Sequence, residues 1–166
     1  MTAEEKINAQ PDAHADLWLT PAQLDSWMSV VRLITRLPWA IDGDLQREAG
    51  LSMIEYMTMA ALSESRDRTM RMSDVAEKTS VSLSRLSHLV KRLEARGWVR
   101  READTADGRF TNAILTPEGM RKLESAAPRH VATVRRLVID NLSAERLRRL
   151  GQDADRIVGR IDSPAR

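Results

Sequence analysis

The chain has 166 residues, with 26 Lys and Arg against 24 Asp and Glu, so it is long enough for a packed core and is no polycation. It contains no cysteine, which removes disulfides, zinc ribbons, thiol nucleophiles and thiol redox sensing. No apolar run approaches the roughly 20 residues of a membrane span, and the acidic start has no signal-peptide core, so a cytoplasmic protein without a membrane partner is expected.

The net charge of +2 conceals a local surplus. Residues 80–110 hold seven Lys/Arg against four acids, and residues 121–160 hold ten against five. Residues 1–20 hold one Lys and four acids. Such clustering is what a surface facing a nucleic-acid groove requires.

Residues 1–16 are polar and aperiodic and read as a mobile arm, part of an N-terminal segment 1–19. Thr20-Pro21-Ala22-Gln23 is a helix start, with an N-cap, a proline in the first turn and Gln at the capping-box position. Leu24, Trp27, Val31, Ile34, Ile41 and Leu45 then recur at helical spacing. Pro38 falls inside that series and is expected to kink or split the helix. About 28 residues at about 1.5 Å each make a rod of some 40 Å, long enough to favour burial against a partner. The segment 20–50 is therefore read as a dimerisation helix.

Ser52 is expected to cap a helix running to about Glu64, apolar on much of its circumference. Residues 64–69 read as a polar loop, and Thr69–Met72 as a short strand. Ser73–Lys78 reads as a short helix and Thr79–Val81 as a tight turn. A second helix, Leu83–Arg96, follows, with Ser82 as its N-cap. Its expected apolar stripe is Leu83, Leu86, Leu89, Val90 and Leu93. Ser84, Ser87, His88 and Lys91 fall on the opposite face, flanked by Arg85 and Arg92, with no acid before Glu94. Short hydroxyls let a helix backbone approach base edges, and Arg, Lys and His donate to them.

Trp98–Arg101 and Phe110–Leu115 have strand composition, around a polar tip with a turn signal at Asp107-Gly108. Arg109, just past the turn, is placed to enter a minor groove, and Arg100 and Arg101 alternate faces so that one points at phosphate. Thr116-Pro117 opens a helix with Met120, Leu123, Ala127, Val131, Val134 and Val138 as its seam and a bend expected at Pro128. His130 beside it reads as a satisfied interior or boundary histidine. Ser143 caps a last helix in which Leu147, Leu150, Ala154, Ile157 and Ile161 repeat. The segment 117–166 is read as C-terminal dimerisation helices.

Val75-Ala76-Glu77, Ser82-Leu83-Ser84-Arg85-Leu86-Ser87, Leu93–Val99, Asp107-Gly108-Arg109 and Leu115–Gly119 together resemble the MarR family of bacterial repressors, in order and spacing over roughly 45 residues. One departure is Thr79-Ser80, where the family often has glycine, so Ser80 must adopt whatever conformation the turn needs. The resemblance implies a mainly α fold with a small β-wing: a winged helix-turn-helix domain over 51–116, plus N- and C-terminal dimerisation helices. It implies a homodimer whose two readers lie about one turn of double-stranded DNA apart, around 34 Å. It also implies a small-molecule effector, often an aromatic or lipophilic acid, between the dimer helices and the reader. Trp27, Trp39, Met53, Tyr56 and Met57 are the candidate wall, although each also reads as plain core.

The expected function is a sequence-specific regulator, a repressor at a near-palindromic operator. Ser84, Ser87, His88 and Lys91 meet base edges, Arg85 and Arg92 hold backbone, and Ser82, Arg100 and Arg109 complete the DNA-facing set. The alternatives are a ligand-independent activator and a winged helix that docks protein. An enzyme is disfavoured: His14, His88 and His130 have no metal-ligand spacing, there is no glycine-rich phosphate loop and no Ser-centred nucleophile motif, and no cofactor is expected.

Overall fold

A computed structural model of the protein describes residues 18–105 and 107–163. The expected arm lies almost wholly outside those residues. The chain divides into two compact units, residues 1–37 and 38–166.

Helix α1 spans Pro21–Ala49. Its start carries the expected reciprocal cap: Thr20 N–H donates to Gln23 Oε1 at 2.8 Å, and Gln23 N–H to Thr20 Oγ at 3.3 Å. Of the kink or split expected at Pro38, the split does not occur, since the helix continues through it. A proline removes only its own N–H from the ladder, so the turns on either side keep theirs. In the first unit Leu24, Trp27, Met28, Leu33 and Ile34 are all exposed on α1.

The second unit contains the rest. Helix α2 (Met53–Ser63) starts at a full capping box between Ser52 and Glu55. A three-residue 3-10 turn, Arg66–Arg68, leads into strand β1 (Thr69–Arg71). The expected strand stops one residue early because Met72 begins helix α3 (Met72–Lys78). Helix α4 (Leu83–Ala95), strand β2 (Val99–Ala103) and strand β3 (Thr111–Leu115) follow. Helix α5 (Pro117–Leu137), a 3-10 turn (Ile139–Asn141) and helix α6 (Ala144–Asp162) complete the described chain. The sheet is antiparallel in the order β1-β3-β2, with Thr69 opposite Ile114 and Val99 opposite Leu115. This is a winged helix-turn-helix, mainly α with a small β-wing.

One core joins these elements. Leu51, Met59 and Leu62 meet Val75, then Leu86, Leu89, Val90 and Leu93 of α4, then Val99, Ala113 and Leu115 of the wing. Helix α5 adds Leu123 and Ala126. Of the expected seam Leu123 is buried and Met120 packs against the core, but further along the buried positions are Ala126 and Thr133, each one before the expected Ala127 and Val134, and Val131 is half exposed. The helix is also uninterrupted at Pro128. Leu150, Ile157 and Ile161 of α6 are exposed, so the seam read there is uncovered in the single chain.

Two tight reversals aim α4. At its end Gly97 takes φ +72°, with Trp98 N–H bonded to Leu93 O at 3.0 Å and Gly97 N–H to Glu94 O at 2.9 Å. This is a Schellman cap, in which a left-handed residue reverses the chain and satisfies the last carbonyls. The same bonds close α3: Val81 N–H donates to Ala76 O and Ser80 N–H to Glu77 O, both at 3.0 Å. Here the left-handed residue is Ser80, at φ +54°. The serine has taken the conformation that glycine supplies more easily.

Ser80→Gly should therefore stabilise the fold by roughly 0.5–1 kcal/mol, the left-handed strain relieved less the entropy glycine adds to the unfolded chain. Denaturant melting checks this. Gly119→Ala should do the opposite. A Cβ there would overlap the carbonyl oxygen of Trp98 and lie 2.7 Å from Leu115 Cδ1. Backbone cannot move aside as a side-chain tip can, so a loss of about 3 kcal/mol is expected by the same measurement.

Candidate nucleic-acid interface

The site is built from α4 outward. Ser82 caps it by accepting from Arg85 N–H at 3.2 Å, which leaves its own O–H free to donate. Leu86, Leu89, Val90 and Leu93 are buried, whereas Leu83, expected in the same stripe, is 52 % exposed. Ser84, Arg85, His88 and Lys91 are exposed and Ser87 is half-buried. Thus the polar face stands clear of the core that holds the opposite face.

Two carboxylates secure the flanks of α4. On one side Glu55 of α2, 4 % exposed, accepts from Ser52 N–H at 2.9 Å and lies 3.6 Å from Arg92 Nε and 3.8 Å from Arg96 Nη1. Arg92 is thereby held towards α2, with 58 % of its side chain still exposed. Sequence reasoning missed Glu55, because nothing local links it to arginines far along the chain. On the other side Glu94 accepts from the Arg101 backbone N–H at 2.9 Å, and from its guanidinium at 2.8 and 2.6 Å. The acid of α4 is therefore turned onto the wing, and Arg101 is a brace. Arg100, on the other face of β2, pairs with Glu102.

The wing tip has its own scaffold. Asp104 accepts from Asp107 N–H at 3.2 Å and from Arg71 Nε at 3.1 Å. The Arg71 guanidinium sits 4.4 Å above the Phe110 ring. Arg109 lies along Asp107, with Nε 2.9 Å from Oδ1 and Nη2 2.6 Å from Oδ2, yet its side chain is 84 % exposed. That pair holds the Asp107 carboxyl below the usual range, chiefly through the Arg109 side-chain hydrogen bond, and raises Arg109. Between wing and helix runs a groove of about 350 Å³ lined by Ser73, Leu83, Ser87, Arg101, Arg109 and Phe110, among others.

A second groove of about 360 Å³ lies on the opposite flank of α4. It brings together Trp39, Met53 and Met57 from the expected ligand wall, and adds Pro38, Asp42, Ile54 and Arg85. Asp42 Oδ1 accepts from Met53 N–H at 2.7 Å, which fixes the start of α2 beside it. The sequence could not reveal that Arg85 and Trp39 share a concavity, since they are far apart along the chain. Two expected members are elsewhere. Trp27 belongs to the first unit and is half exposed, and the Tyr56 ring packs on His130 at 4.4 Å.

Residues 49–109 match the model of the MarR family. The DNA-bound crystal structure of Sco3205, a MarR family transcriptional regulator from Streptomyces coelicolor, is similar at TM-score 0.84 and 41 % identity, over 89 % of this chain and 96 % of that one. This chain belongs to the MarR family. AbsC, a MarR family regulator from the same organism, is similar at TM-score 0.83 and 39 % identity, covering 87 % of this chain and 97 % of that one. The repressor YetL of Bacillus subtilis is 28 % identical over 96 residues, 58 % of this chain, and the match spans 57 % of that relative's length. The MarR family is one of transcriptional regulators rather than enzymes, and the DNA-binding winged helix is its shared element. No helix among the described residues is long and apolar enough to cross a membrane.

His130 departs from the satisfied residue expected of it. Its Nδ1 is buried without a hydrogen-bond partner among the described residues, and burial holds its pKa below the ordinary value. The folded protein therefore binds less proton there than the unfolded chain. This MarR-family chain should lose stability as pH falls through about 6.5, the unfolded value, and go on losing it until the folded pKa is passed. His130→Phe should flatten that part of a melting-temperature profile between pH 7.5 and 5.

Proposed function

We propose that the protein is a homodimeric repressor that reads a near-palindromic operator through α4 and the wing. The observation that carries this reading is the outward face of α4. Ser84, Arg85, His88 and Lys91 are exposed together, and the helix's acid is bonded to the wing. In this reading Ser82, Ser84, Ser87, His88 and Lys91 meet base edges, Arg85, Arg92 and Arg100 serve the backbone, and Arg109 enters the minor groove. A protein-docking winged helix would need an apolar or acidic face there.

The dimer reading rests on uncovered apolar surface. Trp27 and Ile34 on α1, and Ile157 and Ile161 on α6, are at least half exposed, which a second copy of the chain would cover. Segments 20–50 and 117–166 are then the dimerisation helices, flanking the reader domain 51–116. The effector reading is narrowed to the groove of Trp39, Met53 and Met57. An apolar wall with the Arg85 guanidinium beside it, and with the Asp42 carboxylate engaged by Met53 N–H, suits an aromatic or lipophilic acid. Arg85 lies in that groove and on α4 at once, so a ligand anion there competes with a phosphate for the same guanidinium.

Filter binding on operators selected from random duplex DNA tests the whole reading. Affinity should fall steeply with salt, with a log–log slope near −0.9 for each phosphate neutralised. Arg109→Ala should weaken binding without changing the preferred major-groove sequence, and the free protein should scatter light as two chains. An Arg109→Ala variant with unchanged affinity removes the wing from the interface, and a single chain in solution removes the dimer.

A further inference from the structure

We infer that Leu83 reads the C5-methyl group of a thymine in the operator. This rests on the proposal that α4 is the reader. Leu83 is the first residue of α4 and, against the expectation from periodicity, is 52 % exposed. An isolated exposed leucine on a flat surface would carry no such meaning. This one lies in the concave groove between helix and wing, one turn before Ser87, which lines the same groove. Arg101 and Arg109 border the groove, and Ser73 adds a hydroxyl. Met72 and Phe110 line it as well, and Arg101 and Arg109 are each paired with a carboxylate, so the groove is apolar with hydrogen-bonding groups along it, the mixture that a base edge bearing a methyl group presents in turn.

The N-terminal residues of a reader helix approach base edges most closely. At a base edge in the major groove, thymine presents an apolar group, its C5-methyl, and apolar side-chain groups are its partners. Ser84, Ser87, His88 and Lys91 distinguish bases by hydrogen bonds. They cannot separate thymine from uracil, which presents the same donors and acceptors without the methyl. Leu83 supplies the apolar contact that can.

The test uses the full-length protein and an operator recovered by selection from random duplex DNA. Each thymine is replaced in turn by deoxyuridine, which removes the methyl and nothing else. Wild type should lose about fourfold in affinity at one position per half-site, the equivalent of ~0.8 kcal/mol for one buried methyl-sized group. Leu83→Ala should bind the thymine operator about that much more weakly and be indifferent to deoxyuridine at that position. Leu83→Met, which keeps apolar reach, should retain the sensitivity, and thermal melting should match wild type because the residue is exposed. A wild type indifferent to every replacement overturns the inference. So does a Leu83→Ala variant that keeps the same sensitive position. Failure of the reader assignment looks different: Ser84, His88 and Lys91 variants would then bind the selected duplex as wild type does.

Discussion

Burial of four side chains on one face of α4 is the constraint on which the rest depends. Leu86, Leu89, Val90 and Leu93 are each no more than 2 % exposed. Taking an aliphatic side chain of this size out of water is worth about 1.5–3 kcal/mol. The ion pairs at the flanks of the helix are partly solvated, and such pairs contribute about 0–1 kcal/mol each. The core therefore decides where α4 lies, and the pairs decide how it is turned and what it carries beside it. Because one face is submerged in a core shared with α2, α3, the wing and α5, the opposite face has nowhere to go but outward.

The charge arrangement follows from the same division. From residue 80 to 110 the acids Glu94, Glu102, Asp104 and Asp107 have Arg101, Arg100, Arg71 and Arg109 as partners. Glu55 takes up Arg92 and Arg96. What remains on the reader face is Arg85 and Lys91, which have no ion-pair partner among the described residues. Within residues 80–110 the charge left without an ion pair thus lies on the outward face of α4. The carboxylates act as fixtures, holding arginines along the helix and wing where a flexible side chain would otherwise sample many directions.

Outside the winged helix the logic is reversed. The apolar residues of α1 before Pro38 and of α6 are periodic, as in any helix with a core to face, yet they remain in solvent. Their pattern is complete while their burial is not, which is why a second copy of the chain enters the proposed function. The groove of Trp39, Met53, Met57 and Arg85 has a related character: an apolar wall left open, with the Asp42 carboxylate and the Arg85 guanidinium beside it.

The order of elements, the caps at Thr20, Ser52, Ser82, Thr116 and Ser143, and the wing strands are local matters, settled within a few residues by hydrogen bonding and periodicity. They could be read from the sequence for that reason, as could the unusual demand on Ser80. Periodicity gives a residue's angle around a helix but not where the neighbouring element ends. Hence it assigned the half-exposed Leu83 to the core, and beyond Leu123 it misplaced the buried line of α5 by one position. Tertiary structure alone decided that Glu55 grips the last turn of α4, that Glu94 belongs to the wing, that Tyr56 rests on His130, and that Arg85 shares a groove with Trp39. Each of these joins residues distant along the chain, and such contacts exist only once the core has brought their helices together.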